Sequence, residues 1–396
     1  MSGIKMLVSA KTDVGRARQT NEDAFAITDL ASGRTIEAIG ADHAIDVQER
    51  GVLLAVSDGM GGAEAGEVAS ALVLDSLQQA LASEGRGAIH EQLEAAVQRA
   101  NRSVFMEAMQ DNKHGMGATL TALFVRGDEA YIAEVGDSRG YLLRNGRLRQ
   151  ITRDQSLVQM LVDQGVLSAE EARTSPSKNV ILQAMGLALD VRVAIARLRL
   201  RRGDRFILCS DGVSNPLTDA ELQQIATQSD PRAACETIIA LANDRGGDDN
   251  ETVIVADVTG EGLPLPDEFE TVTETYEVLK QYHPTYRGRT VTPDVARVAA
   301  AAIRARAEVD GRRGEPAPPR QGESPPAPAP PTAATSEPAA DAAADDDEPF
   351  LEIAESEPRE GRSALARVLA DRPRWLVAVA VGALVLAIVV SIVLAR

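Results

Sequence analysis

Three apolar stretches each run into an aspartate beside a glycine. Leu53 to Ser57 leads to Asp58-Gly59, Ile207 to Ser210 leads to Asp211-Gly212, and Ile132 to Val135 leads to Gly136-Asp137. A single Asp-Gly pair is a common turn signal. Three of them at the ends of strand-like runs can bring carboxylates together at one edge of a sheet, where they repel unless a cation neutralises them. Glu22-Asp23 and Asp248-Asp249-Asn250 extend the group. Oxygen-only donors favour hard divalent ions such as Mg²⁺ or Mn²⁺ over zinc.

Other chemistries have little to work with. Cys209 and Cys235 lie far apart and away from metal-ligand spacing, which supports neither a disulfide framework nor a zinc ribbon and fits a reducing compartment. His43, His90, His114 and His283 are isolated from one another, which removes an HExxH arrangement. A net charge of -18 comes without the basic stripe that a nucleic-acid binder uses to displace counterions. The chemistry therefore rests on carboxylates.

The elements that must position them are short strands mixed with amphipathic helices. Ala69, Leu72, Val73, Leu77 and Ala80 share one helical arc, and Ile89, Leu93, Ala96, Val97, Ala100 and Val104 share the next, so two helices follow Gly62. Strands are expected at Thr119 to Phe124, Ala130 to Val135 and Gly140 to Arg144, with Asn145-Gly146 as a hairpin turn. More are expected at Val193 to Leu200, Arg205 to Cys209 and Thr252 to Val258, while Asp230-Pro231 reads as an N-cap and first helical residue. This mixed order favours α+β, with helices covering packed antiparallel sheets, over a doubly wound parallel fold. Arg153 to Leu187 is polar and partly helical, either a flap or a surface helical hairpin.

At the acidic positions the sequence resembles bacterial-type PP2C (PPM) phosphatases. The resemblance is carried by Thr12-Asp13-Val14-Gly15 with Arg18 and Asn21-Glu22-Asp23, and by Val56-Ser57-Asp58-Gly59-Met60-Gly61-Gly62 with Gly66-Glu67. Gly117-Ala118-Thr119-Leu120, Val135-Gly136-Asp137-Ser138-Arg139, Ser210-Asp211-Gly212-Val213 and Gly247-Asp248-Asp249-Asn250-Glu251-Thr252 follow in the family's order, so the likeness spans about residues 5 to 258. It implies a sandwich of two antiparallel sheets flanked by helices and a metal-dependent hydrolysis of phosphoserine and phosphothreonine on proteins. It further implies two Mn²⁺ or Mg²⁺ ions. Asp58 would bridge them, Asp23 and the Gly59 carbonyl would complete one shell, and Asp211 with Asp249 would hold the other. Asp137 would serve a third, more weakly held ion, and Arg18 would receive the phosphate with its planar fork. Glu22 and Asn250 would orient ligands or water. Substrate proteins and a Ser/Thr kinase of the same cell are the implied partners.

Two residues depart from the pattern. Met60 stands where animal relatives carry a histidine proposed as general acid, so water must protonate the leaving group. Gln155, in Asp154-Gln155-Ser156, stands where many bacterial relatives have histidine. A phosphoprotein-binding module without turnover is the alternative reading, and a membrane scaffold is another. A binding module would normally have lost a carboxylate, whereas Asp23, Asp58, Asp211 and Asp249 are all present.

Beyond the phosphatase-like region, residues 1–258, the chain thins. Residues 259–310 form an extension in which Thr292-Pro293 can start a helix through Ala307. Residues 311–374 comprise a Pro-, Ala- and acid-rich linker, expected to be disordered, and a basic juxtamembrane segment. Residues 375–394 carry no charge and are long enough to cross a bilayer as one helix. Arg359, Arg362, Arg367, Arg372 and Arg374 precede that segment, which places the catalytic region in the cytoplasm as a single-pass, tail-anchored protein contacting membrane lipid. No apolar h-region occupies Met1 to Asp13.

Overall fold

The computed structural model describes residues 3–36, 42–62, 65–83, 87–110, 113, 115–286 and 289–290. The expected helix after Thr292, the linker and the expected membrane segment lie outside the described residues. Among those residues no helix is long and apolar enough to cross a membrane.

The chain opens with β1 (Lys5–Asp13), β2 (Asp23–Asp29), β3 (Arg34–Thr35), β4 (His43–Asp46) and β5 (Val52–Met60), then α1 (Ala65–Ala82) and α2 (Ile89–Ala108). Next come β6 (Gly117–Ala118), β7 (Leu120–Arg126), β8 (Glu129–Val135), β9 (Arg139–Arg144) and β10 (Arg147–Gln150). Two short helices follow, α3 (Leu157–Asp163) and α4 (Ala169–Arg173), then β11 (Ala194–Arg199) and β12 (Arg205–Cys209). The last part holds α5 (Asp211–Ser214), α6 (Asp219–Gln228), α7 (Pro231–Asp244), β13 (Glu251–Thr259) and β14 (Tyr276–Lys280).

The strands form two sheets, β10-β9-β12-β13-β1-β4 and β14-β11-β8-β7-β5-β2-β3, with β6 beside β5. Each ladder is antiparallel. Strand β5 shows how the layers are built. Val52, Leu54 and Val56 point between the sheets, where they meet Val8, Ile254 and Phe206, whereas Leu53 and Ala55 point outward under Val73, Leu77, Leu93 and Val97 of the first two helices. A strand covered on both faces reads as a continuous apolar run, so its alternation is invisible in the sequence. On the far side Ile207, Val253 and Val255 lie under Leu222, Ile238 and Ile239 of α6 and α7. The result is the expected layering of helices, two sheets and helices.

Local signals are where the sequence placed them. Asp230 caps α7 by accepting the Ala233 N–H at 2.8 Å, with Pro231 at the start of the helix. Asn145 and Gly146 adopt φ of 51° and 70°, the pair of left-handed residues that a tight β9–β10 turn requires. The 153–187 segment is a small lobe with its own apolar cluster of Leu157, Met160, Leu161 and Leu182. Part of the extension is ordered: Tyr276–Lys280 adds an edge strand beside β11. A buried ion-pair group, Arg144 with Asp204 at 2.6 Å and with Glu270 at 3.0 Å, ties that extension to the β9–β10 hairpin.

Candidate metal centre

The antiparallel order puts the acidic ends of four strands at one end of the sandwich. Asp23 begins β2 and Asp58 lies near the end of β5, and the two are directly opposite one another in the β2–β5 ladder. In the other sheet Cys209 pairs with Val253, so Asp211, just past β12, and Asp249, just before β13, emerge at the same end. The Ser210 hydroxyl donates to Asp23 Oδ2 at 2.6 Å and joins the two sheets at this point.

Glycines permit this closeness. A Cβ on Gly59 would lie 2.0 Å from the Gly66 carbonyl oxygen and 2.8 Å from that of Glu22, so the start of α1 packs directly on β5 only because no side chain intervenes. The Asp58 peptide is fixed from both sides by Thr119, whose hydroxyl accepts the Asp58 N–H at 2.9 Å and whose N–H donates to the Asp58 carbonyl at 2.8 Å.

The electrostatics are costly. Burial pushes Asp23 up to about 8 against the hydrogen bonds from Ser210 and Thr252, and the charges of Asp211 and Asp249 add to the rise. Asp58 is raised well above the ordinary aspartate range by burial, then by Asp23, Asp211, Asp249 and Asp137. Asp137 is raised by burial, then by Asp211 and Asp154. Asp23 Oδ1 is buried with no hydrogen-bond partner among the described residues. An orphaned carboxylate oxygen inside a ring of like charges fits a hard cation better than any neutral group. No three such side chains among the described residues enclose an ion by themselves.

The remaining predicted residues divide. Arg18 reaches Asp249, across the sequence from its own loop. Its Nε lies 3.1 Å from Asp249 Oδ1 and its Nη2 donates to Oδ2 at 3.2 Å. Asn250 directs its side chain to backbone: Oδ1 accepts the Glu22 N–H at 2.8 Å, and Nδ2 donates to the Val14 and Thr20 carbonyls at 3.0 and 2.9 Å. It holds the Arg18 loop in place. The Glu22 carbonyl accepts the Ser70 hydroxyl at 2.6 Å and the Gly59 N–H at 3.1 Å. Asp137 and Asp211 share a cleft of about 210 Å³ with Arg139, Asp154, Arg173 and Lys178. A larger cavity of about 510 Å³, lined by Ile132, Glu134, Tyr276 and Tyr282, contains none of the five aspartates named for the site.

Sequence reasoning missed Ser210, Thr119 and Asp154. Each sits inside a motif already singled out, but only the fold shows which partner it takes; Asp154 receives Arg139 through Nη2 at 2.7 Å and Nε at 3.0 Å.

The profile of the family described as protein phosphatase 2C matches residues 41–237. The serine/threonine protein phosphatase PstP of Mycobacterium tuberculosis is 38% identical over 251 residues, 63% of this chain and 44% of that protein. The chain thus spans less than half of that relative's length. The serine/threonine phosphatase stp of Listeria innocua is 34% identical over 253 residues, 62% of this chain and 94% of the relative. The crystal structure of M. tuberculosis PstP superimposes with a TM-score of 0.56 at 36% identity, covering 64% of this chain and 99% of that one. The PstP catalytic domain in complex with two manganese ions gives 0.54 at 36% identity, covering 65% and 99%.

Proposed function

Because the chain belongs to the protein phosphatase 2C family, we propose that it hydrolyses phosphoserine and phosphothreonine on proteins, using Mn²⁺ or Mg²⁺ held by Asp23, Asp58, Asp211 and Asp249. The observation that carries this reading is the direct opposition of Asp23 and Asp58 in the β2–β5 ladder together with a buried Asp23 Oδ1 that has no hydrogen-bond partner among the described residues. When bound, two such ions make water acidic enough to attack at neutral pH and offset charge on the phosphoryl oxygens.

The chain's own residues do the rest. Asp58 is the group shared between the two sides of the cluster, with Asp23 and the Gly59 carbonyl on one side and Asp211 with Asp249 on the other. Arg18 grips the phosphate with the fork it now presents to Asp249. Met60 supplies no proton, so solvent protonates the leaving alkoxide. The purified full chain should release phosphate from a phosphothreonine peptide with added Mn²⁺ and stop when EDTA is added. Turnover that survives metal removal, or none under any divalent ion, would overturn the reading.

The membrane reading rests on residues 375–394 and the arginines that precede them. One helix anchors the chain, the catalytic region faces the cytoplasm, and the 311–361 linker gives it a reach of roughly 40 Å. Tethering raises the effective concentration toward membrane-bound phosphoproteins, a Ser/Thr kinase among them. Removing residues 311–396 should release the protein from membranes and preserve its kinetics on a small peptide. Sedimentation of the truncated chain with membranes, or digestion of the catalytic region by protease outside intact cells, contradicts this topology.

A further inference from the structure

Asp137 lies in the bend between β8 and β9, and the root of the 153–187 lobe bonds this bend on both sides. Gly136, in a left-handed conformation with φ of 108°, has both backbone groups bonded to Gln155: its N–H donates to Gln155 Oε1 at 2.9 Å, and its carbonyl accepts the Gln155 N–H at 2.8 Å. Gln155 Nε2 donates to the Glu134 carbonyl at 3.2 Å. On the other side of the turn Arg139 forks onto Asp154. Ser138 is tied to Thr119, the residue that also fixes Asp58.

Gln155 holds the lobe as well. Its carbonyl accepts the Leu182 N–H at 2.7 Å and its Oε1 accepts Gln183 Nε2 at 2.7 Å, which joins the outgoing and returning strands of the lobe. The Ser156–Ile181 bridge and the Leu157 N–H to Val180 carbonyl bond continue the seam. Gln155 is 1% exposed, so these bonds form away from competing water. Gln155 therefore holds the bend before Asp137 and the base of the lobe at the same time: its side-chain amide accepts the Gly136 N–H and donates to the Glu134 carbonyl, and its backbone N–H donates to the Gly136 carbonyl.

We propose that Gln155 is a positioning residue that orients Asp137 toward a cation and couples that orientation to the seat of the 153–187 lobe. The inference rests on the metal reading of the site. Gln155 touches neither substrate nor ion; it acts through the Gly136 peptide. A group one shell out commonly changes metal affinity by about 10- to 100-fold.

The test is calorimetric titration of the full-length chain with Mn²⁺, comparing wild type, Gln155→Leu, Asp137→Asn and the double variant, with thermal unfolding recorded for each. Wild type should show tight binding and a weaker component. Gln155→Leu should weaken only that component, by about 10- to 100-fold, and should add nothing in the Asp137→Asn background. A weak component within twofold of wild type in Gln155→Leu overturns the inference and leaves the phosphatase reading standing. So does an effect that adds fully to that of Asp137→Asn, or a wild type with tight binding alone. Absence of any Mn²⁺ binding in wild type overturns both. If Gln155→Leu does not fold, Gln183→Leu leaves Gln155 in place, removes its contact from the returning strand together with two bonds to the Arg192 backbone, and should weaken the same component by about threefold or more, the effect of one hydrogen bond. No weakening there also overturns the coupling.

Discussion

Asp23 and Asp58 face each other across adjacent antiparallel strands, a position where like charges destabilise a sheet. On the proposed function, stability is given up there for a cation site, and the trade has a signature. In EDTA, Asp58→Asn should unfold at the same temperature as wild type or higher, by a few degrees, since about 1 kcal/mol corresponds to roughly 2–4 °C in a domain of this size. With Mn²⁺ the order should reverse, because the wild-type fold gains binding energy. Differential scanning calorimetry in both buffers decides the point, and a lower Tm for Asp58→Asn in EDTA would remove the repulsion from the account.

Arg18 forks onto Asp249 while more than a third of its side chain remains exposed, so the pair contributes little to stability, on the order of 0–1 kcal/mol. Arg18→Ala should therefore unfold within about 4 °C of wild type. Its loss should appear in kcat/KM, largely through KM, as expected for a contact made equally in ground and transition states. Unchanged steady-state constants would return Arg18 to the role of a surface ion pair.

Glu134 is buried below the lobe, with both carboxylate oxygens accepting the Arg153 N–H at 3.1 and 2.9 Å. Burial raises it well above the ordinary glutamate range. A carboxyl raised on folding contributes stability that is present below its unfolded pKa and lost as pH rises through the folded value. The stability of Glu134→Gln relative to wild type should thus improve steadily as pH rises above about 4.5. Urea unfolding at several pH values reads this slope, and a difference that is flat or of opposite sign contradicts it.

Arg144 and Asp204 form a pair with 1% and 0% side-chain exposure. Removing one partner leaves the other charge buried, so Asp204→Ala should cost about 3–5 kcal/mol. Loss of under about 1 kcal/mol in urea titration would mean that water reaches the site.

Legibility followed sequence distance. The helices over the sandwich, the Asn145-Gly146 turn and the Asp230 cap all depend on neighbours within a few residues. Strands β5, β12 and β13 announced themselves as apolar runs. Strand β14 did not, because Tyr276–Lys280 is a half-exposed edge with only one ladder partner. At the site the aspartates were readable as motif ends. The bond between Ser210 and Asp23 joins residues 187 positions apart, and no local periodicity predicts it. Arg18 likewise bonds Asp249, 231 positions away, a contact that no local spacing predicts.

The most direct test of the central claim is phosphate release from a phosphothreonine peptide at saturating Mn²⁺ by wild type, Asp58→Asn and Asp211→Asn. Loss of several kcal/mol of charge stabilisation corresponds to a drop of roughly two to four orders of magnitude for each variant with the fold intact, at about 1.4 kcal/mol per tenfold. Turnover within a few-fold of wild type in either folded variant would contradict the assignment of these carboxylates to the reaction.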